Sequence, residues 1–165
     1  FLLEGLHFIY KKHQSPEKLF MPRQNEPDTS GGIQRFVELM LQSPHSKRSL
    51  KHLPNIEKGS AAKRINMFLR WMVRKDDKGV DFGLWYIPAN KLLCPLDVHS
   101  GRTARELGLL SRPQNDLKAV IELTSHLREL DANDPIKYDF ALFGLSMQKT
   151  SLWTSISGRP GDEEG

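Results

Sequence analysis

The chain holds one cysteine in 165 residues. With Cys94 alone, inside the apolar run LLCPL, neither a disulfide framework nor a four-cysteine zinc or iron–sulfur site can be assembled within this sequence, and no cofactor is expected. Long apolar runs are missing as well. No stretch approaches the roughly 20 residues that a membrane-spanning helix needs, and the first residues lack the charge, apolar core and small-residue cleavage site of a signal peptide. A cytoplasmic protein without membrane contact is the expectation. Strand-like stretches are scarce, FGLWYI being one short candidate in an otherwise irregular segment, residues 76 to 95. The first residue is Phe rather than Met and lies inside an apolar helical pattern, FLLEGLHFIYKKH, so we expect an upstream portion.

What is present fits one helical domain, residues 1 to 147, followed by a loose tail, 148 to 165. Hydrophobic residues make up 38% and charged residues 27%, enough for a single core. Lys and Arg outnumber Asp and Glu by 24 to 20, which tilts the partner toward a polyanion. Leu2, Leu3, Leu6, Ile9 and Tyr10 recur at helical spacing, and Ser15-Pro16 can start a short second helix. MPRQNEPDTSGG, residues 21 to 32, reads as a loop; Ile33, Phe36, Val37, Met40 and Leu41 then form an amphipathic stripe. LPNIEKGS is a turn leading to a helix over about Ser60 to Lys75, with Ala61, Ile65, Phe68, Leu69 and Met72 on its apolar side. Further helices follow Asp97, ending at Gly108, then Asn115 or Asp116, and Asp134-Pro135. The fold class is all-α.

Two constellations stand out. In PLDVHSGRTARELGLL, Asp97 stands at a helix start, where a carboxylate accepts hydrogen bonds from unpaired first-turn amides. Capping alone accounts for such an aspartate, yet the same position keeps a carboxylate ionised for chemistry. His99, two residues on, lies on another face, and Asp-x-His without a third ligand is no metal signature. Arg102 and Arg105 fall one turn apart. The second constellation is the turn LPNIEKGSAAKR, surrounded by Lys47, Arg48, Lys51, His52, Lys58, Lys63 and Arg64. A helix N-terminus among cations attracts phosphate through free amides and the helix dipole. Lys63, Arg70 and Arg74 continue along one helical face and would trace a nucleic-acid backbone, or simply be solvated.

In this order, LPNIEKGSAA and PLDVHSGRTARELGLL resemble the helix-hairpin-helix superfamily of DNA base-excision glycosylases. GSAAKRINMFLRWMVRKDDKGVDFGLW and PIKYDFALFGLS resemble an uncharacterised bacterial family, domain of unknown function 2400, itself similar to those glycosylases. The resemblance implies packed helices with a cleft in which a damaged base, flipped from double-stranded DNA, is released from its sugar by a monomeric enzyme. It makes Asp97 the essential carboxylate, stabilising positive charge on the sugar. Lyase members carry a lysine within the hairpin; anchoring on Leu53-Pro54 puts Gly59, Ser60 or Ala61 there, so Lys63, ahead of Lys58, is the substitute catalytic amine. Asn55, Lys58, Gly59, Ser60, Arg64, His99 and Arg102 would contact DNA, although Asn55 and Glu57 replace two glycines and Glu57 would repel phosphate. Trp85 and Tyr86 would wall the base pocket, while Asp139 is either a second polar group or exposed. The competing classes are a DNA-binding module without turnover and a helical domain whose basic face meets an acidic protein.

Overall fold

The computed structural model describes the backbone of residues 2–43, 51–77 and 79–156, and side chains within those ranges from residue 3 to residue 148. Lys47 and Arg48 lie outside the described residues. The elements among the described residues are helices, α1 (Leu2–His13), α2 (Glu17–Phe20), α3 (Ser30–Met40), α4 (Lys63–Val73), α5 (Val98–Glu106), α6 (Leu117–Leu130) and α7 (Asp139–Ile156), with 3-10 turns at Ala89–Lys91 and Pro135–Tyr138. Among the described residues the only β pairing is an isolated bridge between Lys75 and Phe82, so FGLWYI forms no strand. No helix among them is long and apolar enough to cross a membrane.

Helix ends follow local chemistry. Ser15 Oγ accepts from the Glu17 amide, Asp97 Oδ1 from the Ser100 amide and Asp116 Oδ1 from the Ala119 amide, each at a helix start. Gly108 closes the α5 segment with φ +72°. Three boundaries differ from the sequence reading. First, α3 begins at Ser30, taking in the Gly31-Gly32 pair that we assigned to the loop. A Cβ on Gly32 would lie 2.6 Å from the Phe20 backbone, so the glycine lets α3 cross close to α2 rather than breaking the helix. Second, α4 starts at Lys63, not Ser60, because Ala62 takes a left-handed conformation, φ +46°, just before it. Third, α7 runs on past Met147 to Ile156. The sequence QKTSLWTSI holds no glycine or proline to stop it, and the tail we began at 148 is helical that far.

One main core gathers Phe20, Ile33 and Val37 with Leu69, Ile87, Leu92, Leu93 and Leu96, and reaches Leu110, Val120, Leu123, Leu127 and Ile136. A smaller cluster of Ile9, Leu19 and Met40 ties α1 to α2 and α3. The apolar run LLCPL is thus core: Leu92 to Leu96 is buried throughout, which fixes the chain so that Asp97 emerges from the interior at the start of α5.

Candidate functional site

The starts of α4 and α5 face each other. Lys63, the first residue of α4, donates from Nζ to Oδ2 of Asp97, the residue capping α5, at 2.8 Å. Asp97 also completes a reciprocal cap: Oδ1 accepts from the Ser100 amide at 2.8 Å, while Ser100 Oγ accepts from the Asp97 amide at 3.0 Å. Burial works to raise the Asp97 pKa, but hydrogen bonds from Lys63 and the Ser100 amide, with the charge of Lys63, outweigh it and hold the carboxyl at about 2. The capping role and the ionised role therefore coexist in one side chain.

Cavities open on both sides of this pair. The larger, about 580 Å³, is lined by Lys63 and Asp97 together with the hairpin residues Pro54, Gly59 and Ser60, the cations Lys51 and Arg64, and Asp116, whose charge is met by Arg112. No side chain caps α4, and among the described residues the amides of Lys63, Arg64 and Ile65 have no acceptor; that of Asn66 is the first engaged, donating to Ala62 O at 3.0 Å. An uncapped helix start beside Lys51 and Arg64 is suited to an anion. The hairpin itself is built by local bonds: the Ser60 amide donates to Asn55 O and the Lys58 amide to Asn55 Oδ1, while Gly59 O accepts from the Leu117 amide and docks the turn on α6. Ala62 in the left-handed region costs on the order of 1–3 kcal/mol, a strain located at the residue that aims Lys63.

The smaller cavity, about 230 Å³, lies on the other side of the pair and is lined by Met67, Arg70, Ser100, Asp139, Phe140 and Phe143 besides Lys63, Pro95 and Asp97. Its polar wall is an ion pair between Arg70 Nη1 and Asp139 Oδ2. Arg70 continues from Nε to Asp81, and Arg74 joins Asp81 to Asp134. Burial pushes the Asp139 pKa up against the pull of Arg70.

The structure brings together Asp97, Lys63, Gly59, Ser60 and Arg64 of the residues singled out from sequence. Asn55 and Lys58 are exposed in the same turn without lining either cavity. His99 and Arg102 are exposed on α5, 3.4 Å apart between Nδ1 and Nη2, and line neither. Trp85 is held away from the pair, stacked on Phe20 at 5.8 Å and edge-on to Phe68 at 5.3 Å; Tyr86 is 89% exposed. Arg70 and Arg74 do not present a solvent face for a nucleic-acid backbone: their side chains are 6% and 9% exposed and committed to aspartates. Asp139 is buried, the polar alternative of the two we considered. Glu57 is exposed and accepts from Gln34 Nε2 at 3.2 Å. Sequence reasoning missed Met67, Phe140 and Phe143. The signal was that apolar residues in FALFGLSM cover more than one face of α7, more than core packing requires.

Fold and site define a class: an all-helical protein whose lysine and aspartate are paired between two helix starts and two cavities. The chain belongs to the DUF2400 family, described as a protein of unknown function, which matches residues 1–148. No curated protein and no solved structure matches it.

Proposed function

We propose that this protein is a DNA glycosylase of base-excision repair, using the Lys63–Asp97 pair to release a damaged base flipped out of double-stranded DNA. The single observation that carries this reading is the 2.8 Å ion pair set between a cation-lined cavity at an uncapped helix start and a smaller, aromatic-lined one. Phosphate of the flipped nucleotide binds at the first amides of α4 with Lys51 and Arg64, and the base enters the smaller cavity, so the sugar lies over the pair. As the bond from C1′ to the base nitrogen breaks, its electron pair leaves with the base. Asp97, ionised at any physiological pH, stabilises the cation left on the sugar. Lys63, charged in the pair, gives one proton to the departing nitrogen. The amine so freed adds its lone pair to C1′ in competition with water. Addition of water, whose extra proton returns to the Lys63 amine, completes hydrolysis; in the other route the added amine loses a proton, the C1′–O4′ bond breaks with O4′ taking a proton, and the resulting imine opens a route to strand cleavage.

Incubating the full chain with duplexes that each carry one damaged base, then cleaving abasic sites with alkali, tests the proposal. Strand breaks at one lesion or more are expected. Survival of every lesion overturns it.

A DNA-binding module without turnover is the second reading, favoured by Glu57, which places a negative charge in the hairpin. In that case duplex binding persists and Asp97→Asn has no activity to remove.

A further inference from the structure

The smaller cavity carries unused hydrogen-bonding capacity. Asp139 is nine-tenths buried, yet its Oδ1 meets only the Cys94 sulfhydryl, a weak donor, at 4.0 Å. Beside it, Arg70 uses Nε on Asp81 and Nη1 on Asp139, and Nη2 has no acceptor among the described residues. Asp139, whose Oδ1 takes only a weak donor, and Arg70, whose Nη2 remains available, thus stand side by side in the wall of one cavity. The rest of the lining is flat or soft: Phe143 has no ring partner among the described residues, Phe140 lies under the Arg70 guanidinium at 4.2 Å, and Met67 adds an adaptable wall. At about 230 Å³ the space is below the roughly 300–1,000 Å³ of pockets for drug-sized ligands. It suits one heterocycle rather than a whole nucleotide.

Arg70 donates only and Asp139 accepts only, so together they complement an edge that offers N–H groups to the carboxylate next to a carbonyl for the guanidinium. A guanine presents that order on its pairing edge: the exocyclic amine and ring N–H as two neighbouring donors, then O6. Adenine and cytosine offer a single amine beside a ring nitrogen that accepts, and thymine puts its one N–H between two carbonyls; each leaves part of the wall unsatisfied. We propose that Arg70 and Asp139 read the pairing edge of a guanine-derived base, with Phe143 stacking on its face, so that altered guanines are the substrates. This rests on the glycosylase reading, and it goes further in naming the base and the two side chains that select it.

The test compares, for the full chain, base release from duplexes carrying an altered guanine (8-oxoguanine and 7-methylguanine in turn) with release of the hypoxanthine bearing the same alteration. The hypoxanthine lacks only the exocyclic amine. Altered adenine and cytosine complete the set. Loss of one hydrogen bond to a buried charged group predicts release slower by about tenfold to a hundredfold for the hypoxanthine member, and Asp139→Asn should collapse that difference. Because Asp139→Asn also touches an ion pair of the core, Phe143→Ala, on an exposed side chain, is the second variant; it should slow release of every guanine-derived base without altering thermal stability. Equal release of the guanine and hypoxanthine members, or preference for adenine or cytosine, overturns the assignment. Borohydride trapping on a preformed abasic site, which needs no base, separates the two levels. An adduct without any guanine preference sinks the pocket alone; no adduct and no release sink the glycosylase reading with it.

Discussion

Two ion-pair systems occupy opposite ends of α4, both using aspartates, one with a lysine and the other with arginines. Lys63–Asp97 at its start is half open to solvent, with side-chain exposures of 41% and 21%. Arg70 and Arg74, about two and three turns further on, are closed in with Asp81, Asp134 and Asp139. The inner system is fixed by several contacts per guanidinium, and removing one partner strands charge in the interior. At the outer pair each partner has one charged contact and a cavity on either side, so its loss leaves groups that water can solvate. On the proposed function, structural and chemical uses of an aspartate are separated by access to solvent.

Breaking the inner system should have the largest effect on stability. Arg70→Met is expected to cost about 3–5 kcal/mol, read as a lower urea midpoint with an unchanged slope. Lys63→Gln should do the opposite of Arg70→Met: stability within about 1 kcal/mol of wild type, but no adduct on borohydride trapping with a DNA aldehyde. Arg64→Ala should weaken duplex binding for all sequences alike and reduce the slope of log affinity against log salt by about one; titrations at several salt concentrations check it.

The smallest effect is one of pH. The carboxyl of Asp97 is held at about 2, below its usual 3.8, so its contribution to stability is present above pH 3.8 and is lost as pH falls toward 2. The stability gap between wild type and Asp97→Asn should be flat from pH 8 to 5 and close between about 4 and 2. Denaturant melts across that range measure it. Should the gap instead close near neutrality, the ion pair does not hold Asp97 as described.

How much of this could be read from sequence depended on whether the cause was local. The caps at Asp97 and Asp116 and the glycine at 108 are set by neighbours within a turn, and the pattern displayed them. Placing Asp97 and Lys63 as candidates was possible for the same reason; bringing them to 2.8 Å across 34 residues was a matter of packing that no spacing encodes. Gly31-Gly32 misled because glycine signals a turn and close helix approach equally well, and only the crossing on Phe20 decides between them. Arg70 and Arg74 misled for a related reason. A cation off the apolar stripe looks solvated until partners arrive from distant segments, here Asp81 from the loop after α4, Asp134 from just before the 3-10 turn and Asp139 from the start of α7. Trp85 drew attention as an aromatic near Asp97 in sequence, whereas the rings beside the pair, Phe140 and Phe143, are contributed by α7.

The measurement that bears most directly on the pair is single-turnover base release by wild type and Asp97→Asn on a duplex both bind equally. Asparagine still caps α5, so the fold should stand while the rate falls by about a hundredfold to a thousandfold. A rate that survives the substitution, with structure and DNA affinity intact, contradicts the assignment of the chemistry to this carboxylate.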